Sequence, residues 1–571
     1  MKINILLPVI RKLYRLFSTK HKVYLAVLVV LTVGLSLVET LGISIIMPFI
    51  SIASNPALLD SGWYKKAFDL SGIAEKNTFV IVFGIVIIIF YFFRAAYNAG
   101  HTFAINRFSQ AIYKRFSRNL LITFLSIPYK TFIQRNSGEL MHIITQLSLN
   151  VSHITLNVLQ FGSEFFTILM IYTFMLAMNW KMTLVSTAVL SVIVFCILYI
   201  QTSKSKTQGV KVAEAGIKIS KILRESFGNF KLVKLKGNEK TILEKYSVSL
   251  ETYSWAHIIN GFLNILPKTI LESMGFSMLI AVVISILFLY KDASRVIPTI
   301  SMYALALYRI LPSIHKILVN FTNIAYHQKS LDIIDDDIHQ PVENEGAAPV
   351  GFNKNIRLEN VSFRYVTGGN VLNSVSLEIC KGEKIAVTGE SGCGKSTLAD
   401  LIIGIHKPVS GSLYVDDTLI TDENIRSWRG KIGYIPQSVY LFDGTVAENV
   451  AIGSEVDEAK IKQALQTANI WDFLAAKDGI HTLVGEGGVQ LSGGQQQRIG
   501  IARALYDDPE VLVLDEATSA LDTDTEKKIM EEIYSVCGNK TLIVIAHRLS
   551  TVKRCERKIR IENGTIMENF L

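Results

Sequence analysis

The second half of this chain is organised around a glycine-rich stretch, Gly389-Glu390-Ser391-Gly392-Cys393-Gly394-Lys395-Ser396-Thr397. Its spacing, G-x-x-x-x-G-K-[ST], is typical of loops that bind nucleotide phosphates. An apolar, β-prone run precedes the stretch and a helical pattern follows it, which is the context that such a loop needs. Backbone N–H groups of the loop and the helix N-terminus attract anions. We expect all nine residues to line a nucleotide site, with Lys395 on the β- and γ-phosphates and Ser396 on Mg²⁺.

The composition indicates a membrane protein. Of the 571 residues 50% are hydrophobic, and the mean hydropathy is +0.34. The net charge of +9 fits cytoplasmic Lys and Arg residues beside lipid, and we expect no nucleic-acid partner. The five cysteines form no C-x-x-C pair, which suits a reducing cytosol.

Residues 1–330 carry six apolar blocks, each long enough to cross roughly 30 Å of hydrocarbon. They lie near 23–51, 78–104, 158–178, 182–202, 270–290 and 294–322. Lys and Arg residues are concentrated in the two long connections that would lie in the cytoplasm. These connections read as helical extensions, each ending in a turn able to touch the second domain. The stretch near 56–71 predicts a short external helix at the membrane interface.

The pattern of the sequence changes after residue 330, where long apolar blocks are no longer present. We predict an acidic, Pro-containing linker over 331–349 and an α/β nucleotide-binding domain over 350–571, where strand and helix patterns alternate. The fold class is therefore an α-helical membrane domain of six transmembrane helices followed by an α/β domain.

Three cations lie in or near the apolar spans, at Arg94, Lys268 and Arg309. Insertion of each charge at mid-span would cost roughly 3 kcal/mol, so each cation needs an acidic partner or a function. One interpretation is internal pairing, of Lys268 with Glu272 and of Arg94 with Glu39. The other is a water-accessible, positively charged cavity that binds an anionic head group such as phosphate or pyrophosphate.

Helical spacing supports the cavity, because polar residues recur at three- or four-residue steps in three spans. They are Arg94, Tyr97, Asn98 and His101 in span two, Asn260, Asn264, Lys268 and Glu272 at the start of span five and in the ten residues before it, and Arg309, Ser313, Lys316 and Asn320 in span six.

Further motifs of the second domain follow in order. Tyr365 could stack on a base, and Gln437 comes directly after a strand. Leu491 is followed by a second anion-binding helix start, formed by Ser492, Gly493, Gly494 and Gln495. An apolar strand ends in Asp515, suited to hold Mg²⁺ through water, and Glu516, suited to polarise a water. Asp522 and, after another buried strand, His547 complete the set.

This set resembles the ATP-binding cassette (ABC) transporters, and six spans before one cassette resemble an exporter-type half-transporter. The resemblance implies a homodimer in which ATP lies between the phosphate loop of one copy and Leu491–Gln495 of the other. It implies Glu516 as the catalytic base, His547 as the γ-phosphate switch and Gln437 as the Mg²⁺ and coupling residue. It also implies that Tyr365 stacks on adenine, that Asp522 belongs to the nucleotide site, and that ATP and Mg²⁺ are required.

Four shorter runs are similar to bacterial flippases for lipid-linked oligosaccharides, at 39–49, 91–95, 306–313 and 330–334. The implied cargo is a polyprenyl-pyrophosphate-linked oligosaccharide for protein N-glycosylation or O-antigen assembly. The implied location is the bacterial inner membrane, with the nucleotide-binding domain in the cytoplasm. Arg94, Lys268 and Arg309 would bind the cargo, although Lys268 stands where that family has Arg, so the bidentate fork is lost there.

Two alternatives stay open from the sequence. A broad lipid or drug exporter would use the same ATPase, although a cationic cavity argues against cationic drugs. An ATP-gated channel is a different class, and two complete hydrolytic sites in a homodimer argue against it.

Overall fold

The structure is a computed structural model that describes residues 5–290, 296–366, 368–515, 530–531, 533–535, 537–545 and 554–568. The chain forms two compact units. The helical unit comprises Met1–Leu125 and Arg135–Gln340. The α/β unit comprises Pro341–Leu571 together with Ser126–Gln134, here called the 126–134 segment. The segment thus belongs with the α/β unit, although the sequence division at residue 330 assigns it to the membrane domain.

Long helices dominate the described part of the first 340 residues, because the apolar blocks contain few helix breakers. The α-helices described there, long and short, are α1 (Leu6–Leu16), α2 (Thr19–Ser54), α3 (Gly62–Ser71), α4 (Lys76–Ser126), α5 (Tyr129–Phe132), α6 (Ser137–His142), α7 (Ser148–Gly228), α8 (Phe230–Lys236), α9 (Glu239–Tyr290) and α10 (Val296–Ile338). A 3₁₀ turn, Pro56–Asp60, precedes α3, so helical structure occupies the stretch expected to hold the external helix.

Among the described residues, three stretches are long and apolar enough to cross a membrane. They are Thr19–Ser54, Lys76–Ser126 and Ser137–Ala177. The total of six spans therefore stays a prediction.

Helix α7 is sharply bent. The Thr183 hydroxyl donates a hydrogen bond of 3.1 Å to the carbonyl oxygen of Met175. Eight residues of straight helix would separate these positions by about 12 Å along the axis. The bend lies at the junction of the third and fourth apolar blocks, so α7 carries both of them.

Carboxylates at the end of α10 bind cations from two other parts of the helical unit. The pairs are Lys12–Asp332 at 2.5 Å, Arg15–Asp335 at 2.8 Å and Arg135–Asp337 at 3.0 Å. The acidic run expected in the linker 331–349 therefore begins as helix, because its charges are compensated within the unit. From Pro341 to Phe352 the chain has no regular secondary structure.

The α/β unit has two sheets with helices around them. Its strands are β1 (Asn355–Arg364), β2 (Asn370–Cys380), β3 (Lys384–Gly389), β4 (Ser410–Val415), β5 (Thr418–Leu419), β6 (Ile432–Ile435), β7 (Val511–Asp515), β8 (Thr541–Ile545), β9 (Arg557–Glu562) and β10 (Thr565–Glu568). Its helices include α11 (Lys395–Ile403), α12 (Ile425–Arg429), α13 (Val446–Val450), α14 (Glu458–Thr467), α15 (Trp471–Ala475) and α16 (Gly493–Leu505).

The larger sheet positions the nucleotide site. Its strand order is β10-β9-β3-β8-β7-β6, and all neighbours are parallel except β9 and β10. Strands β7 and β8 are buried along their whole length, as expected for a parallel sheet covered on both faces. The phosphate loop follows β3, and Asp515 ends β7, so both leave the carboxyl ends of parallel strands. The smaller sheet, β2-β1-β4-β5, is antiparallel.

Candidate functional site: a nucleotide site and a polar cavity

The phosphate loop has the backbone that its glycines predict. Gly389 has φ +146° and Gly394 has φ +108°, which side chains rarely tolerate. A Cβ on Gly389 would also lie 2.5 Å from the carbonyl oxygen of Ile561. The Lys395 ammonium, on a buried side chain, donates hydrogen bonds to the carbonyl oxygens of Gly389 and Glu390 at 3.0 and 2.9 Å. The lysine therefore lies over the loop, where phosphate oxygens can take its donors.

Ser396 and Asp515 meet beside the loop. The Ser396 hydroxyl donates a hydrogen bond of 3.1 Å to Asp515 Oδ1, and the Asp515 side chain is buried. A hydroxyl and a carboxylate oxygen are ligands that Mg²⁺ accepts, so these residues fit the predicted metal site. Burial, and then the charge of Asp515, raise the pKa of nearby Asp400 to about 6.

Tyr365 contacts the helix that follows the phosphate loop. Its hydroxyl lies 3.0 Å from the Thr397 hydroxyl, and its ring packs edge-on against Phe363 and His406. The predicted adenine platform is thus linked by one hydrogen bond to the residue after Ser396.

The second anion site is a capped helix start. The Ser492 hydroxyl accepts from the Gln495 backbone N–H, and the Gln495 side chain accepts from the Ser492 N–H. This capping box begins α16 and leaves Gly493 and Gly494 at its first turn, where backbone N–H groups are free to bind an anion. Gln437 lies on the exposed loop after β6.

The helical unit contains a polar cavity of about 390 Å³. Its lining includes the predicted polar face of span two, through Arg94, Asn98 and His101, and Lys316 and Asn320 of span six. The fourth member of that face, Tyr97, instead donates a hydrogen bond to the carbonyl oxygen of Leu31 at 3.0 Å.

The cavity is lined by two ion pairs. Arg94 donates to Glu39 at 2.7 Å, and Lys316 donates to Glu164 at 2.6 Å. Glu39 and Glu164 are buried, whereas Lys316 is 55% exposed. The pairing of Arg94 with Glu39, one of the two interpretations of the sequence, is present, and the residue still lines the cavity.

Residues of the predicted polar face of span five bind neighbouring helices instead of lining the cavity. Asn260 accepts a hydrogen bond from Ser205, and Asn264 donates one to Asn323, so these residues tie α9 to α7 and α10. Lys268 is 61% exposed and lies 3.9 Å from Glu272. None of the three lines the cavity described above.

Comparison with known proteins assigns the chain to a family. The profile of the ABC transporter transmembrane region matches residues 23–310, and the ABC transporter profile matches residues 372–519. The chain belongs to the ABC transporter family. It is 32% identical to an ATP-dependent lipid A-core flippase of Paraburkholderia xenovorans over 71% of this chain and 68% of that protein. A protein of the same description from Saccharophagus degradans is 32% identical over 79% of this chain and 77% of that protein.

A solved structure, of a bacterial Atm1-family ABC exporter with ATP bound, has the same fold. The TM-score is 0.79 at 24% identity, and the match covers 95% of each chain. This ABC transporter therefore has the exporter fold predicted from the sequence, with a helical membrane region before an α/β ATPase domain. It hydrolyses ATP and couples the hydrolysis to translocation.

Three predicted residues of the ABC transporter site, Glu516, Asp522 and His547, lie outside the described residues. So does the side chain of Arg309, whose backbone lies in α10. Strand β7 ends at Asp515, one residue before Glu516, and β8 ends at Ile545, two residues before His547. Asp515 and Ile545 are partners in the parallel sheet.

Two ionisable residues of the cavity lining were missed by sequence reasoning, Glu164 and His315. Glu164 stands inside the third apolar block, so the rule that singles out ionisable residues in spans would have found it. His315 stands inside the sixth apolar block, between Ser313 and Lys316, and the same rule covers histidine.

Proposed function

We propose that this ABC transporter is an ATP-driven flippase for a lipid with an anionic, phosphate-bearing glycan head group. The specific cargo we propose is a polyprenyl-pyrophosphate-linked oligosaccharide, moved from the cytoplasmic to the outer leaflet of a bacterial inner membrane. The observation that carries the proposal is the polar cavity, which holds Arg94 and Lys316 among Asn98, Asn320 and Glu164. The relatives described as lipid A-core flippases support a lipid cargo.

The ion pairs suggest how an anionic head group is taken up. Phosphate oxygens make charge-assisted hydrogen bonds of the same kind as a carboxylate, and Arg can bind them bidentately. The head group would replace Glu39 at Arg94 and Glu164 at Lys316, so its binding is an exchange of anions. Amide groups of Asn98 and Asn320 offer hydrogen bonds to sugar hydroxyls. In the same proposal, Lys268 and Arg309 bind the cargo at other points of its path.

ATP would act between two copies of the chain. The Ser492–Gln495 helix start would bind an anion and is already formed without one, which suits a surface that closes on the nucleotide of a partner copy. In the helical unit, large apolar residues are exposed at the end of α7 and in α8, namely Phe227, Phe230, Leu232 and Leu235. The α/β unit exposes Tyr440 and Phe442 after Gln437. Exposed apolar groups of this kind favour a homodimer.

Each residue of the nucleotide site has a defined task in this cycle. Mg²⁺, when held by Ser396, Asp515 through water and Gln437, would neutralise phosphate charge. Lys395 would exchange its two carbonyl acceptors for phosphate oxygens, and Tyr365 would stack on adenine. Glu516 would take the proton of the attacking water, and His547 would contact the γ-phosphate.

A broad lipid or drug exporter is the second candidate, and one observation favours it. Both cations that line the described cavity are paired with carboxylates, so its net charge is lower than the sequence predicts. Such a cavity would also admit zwitterionic lipids or amphipathic drugs.

Stimulation of ATP hydrolysis separates these candidates. The purified protein in nanodiscs would be titrated with an oligosaccharide on polyprenyl pyrophosphate, with the same sugar on a polyprenyl monophosphate, and with a hydrophobic cation. The proposal expects the pyrophosphate lipid to stimulate most, at micromolar concentration. Stimulation by the cation alone would favour the drug exporter, and ATP-dependent currents across a planar bilayer would favour a channel.

A further inference from the structure

Four aromatic rings form a continuous cluster inside the α/β unit, here called the His406 cluster. His406 stands at its centre and is 3% exposed. Its ring stacks on Phe363 at 4.6 Å between centroids and lies 5.5 Å from both Tyr365 and Tyr129. Tyr129 comes from the 126–134 segment, whereas the other three rings come from the nucleotide-binding domain.

One side of the His406 cluster is attached to the nucleotide site. His406 follows α11, the helix that begins at Lys395, and its backbone N–H donates to the carbonyl oxygen of Asp400 in that helix at 3.2 Å. Tyr365 adds a second link through its hydrogen bond to Thr397. A shift of α11 or of Tyr365 on nucleotide binding therefore reaches His406 directly.

The other side of the His406 cluster is attached to the connection between two membrane helices. The 126–134 segment joins α4 to α6 along the chain. Its start is fixed by a hydrogen bond of 2.7 Å from the Glu343 N–H to the Ser126 carbonyl oxygen. The half-exposed Tyr129 ring then packs on His406.

The charge state of the histidine suits a packing role. Burial, and then the charge of Lys130, lower the pKa of His406 to about 4, so the ring is neutral at physiological pH. Its Nε2 lies 3.8 Å from an Asp400 carboxylate oxygen, too far for a direct hydrogen bond. The ring therefore acts through contact rather than charge, and a ring of another residue type can take its place.

We propose that His406 is a positioning residue that transmits the state of the nucleotide site, at Tyr365 and Thr397, to the 126–134 segment. The aromatic ring of His406 is the only part that this role requires. The role concerns the coupling of ATP binding to the membrane helices, so it does not depend on which lipid is the cargo.

Hydrogen exchange of the full-length protein in nanodiscs tests this, with and without Mg²⁺ and ATP. In the wild type, ATP slows exchange in peptides covering 389–397 and changes exchange in peptides covering 126–134. In His406→Ala, the first change persists and the second is lost. His406→Phe keeps both, and His481→Ala, an exposed histidine of the same unit, is the matched control that also keeps both.

Tyr129 provides an independent variant at a partly exposed position, so it tests the proposal even where His406→Ala fails to fold. Tyr129→Ala should lose the ATP-dependent change at 126–134, Tyr129→Phe should keep it, and the double variant with His406→Ala should be no worse than either single variant. An unchanged response at 126–134 in His406→Ala or Tyr129→Ala would overturn the proposal. So would loss of the change at 389–397 in a folded His406→Ala, because His406 would then act on nucleotide binding itself.

Discussion

The guanidinium group of Arg94 donates a hydrogen bond of 2.7 Å to the carboxylate of Glu39, and both residues line the polar cavity. The carboxylate is buried, whereas the guanidinium is 26% exposed. An ion pair of this kind keeps the arginine in place and leaves part of it open to an incoming anion. Cargo uptake through this cavity is then a competition between Glu39 and a phosphate for one cation.

Substitution of this pair tests the competition. Arg94→Ala alone would remove the cation that donates to the buried Glu39 carboxylate, at a cost of about 3–5 kcal/mol of stability, so the informative comparison starts from Glu39→Gln. Glu39→Gln should transport at least as well as the wild type. Glu39→Gln with Arg94→Ala should lower transport about tenfold or more, because a hydrogen bond to a charged group contributes about 1.5–3 kcal/mol.

The measurement is the initial rate of lipid translocation, with basal ATP hydrolysis recorded beside it. Lys76→Ala, which removes an exposed ion pair with Asp60, is the control and should leave the rate unchanged. Lys268→Met should cost less than the Arg94 change, because Lys268 is largely exposed. Equal transport by the Glu39→Gln protein with and without Arg94 would remove the arginine from the cargo path.

Tyr365 is predicted to bind adenine with its ring rather than its hydroxyl. Tyr365→Phe removes the hydrogen bond to Thr397 but keeps the ring, and should bind ATP within about twofold of the wild type. Tyr365→Ala should bind about tenfold more weakly, since base stacking contributes about 1–3 kcal/mol. Calorimetric titration with ATP would measure both. ATP binding by Tyr365→Phe as weak as that by Tyr365→Ala would assign the role to the hydroxyl instead of the ring.

The environment of Asp400 predicts a pH dependence of stability. Its raised pKa, about 6, means that the folded protein holds a proton on this carboxyl more tightly than the unfolded chain does. Ionisation of Asp400 therefore costs stability as the pH rises from about 4 through 6. Asp400→Asn removes this cost, so it should raise the melting temperature at pH 7.5 and change it less at pH 5, without nucleotide or Mg²⁺. A larger gain at pH 5 would contradict the raised pKa.

Much of the α/β unit could be predicted from the sequence, because its signals are local. The phosphate loop needs glycines at positive φ, as at Gly389, and the buried strands are short apolar runs such as Val511–Asp515. The capping box at Ser492 is likewise a pattern of four residues.

The ion pairs of the cavity could be predicted only in part, because they depend on how helices are rotated against each other. Sequence reasoning offered Glu39 as one possible partner of Arg94, but it did not connect Lys316 with Glu164, 152 residues away. The same holds for the 126–134 segment, whose place in the α/β unit depends on tertiary contacts such as Tyr129 with His406. No local pattern carries that information.

Translocation in sealed liposomes tests the account most directly. The purified protein would be reconstituted with a fluorescent oligosaccharide on polyprenyl pyrophosphate, and the lipid reaching the opposite leaflet would be measured by its accessibility to an added glycosidase. The account predicts movement with Mg²⁺ and ATP, and none with ADP or with a chelator. Steady ATP hydrolysis without movement of this lipid would contradict it.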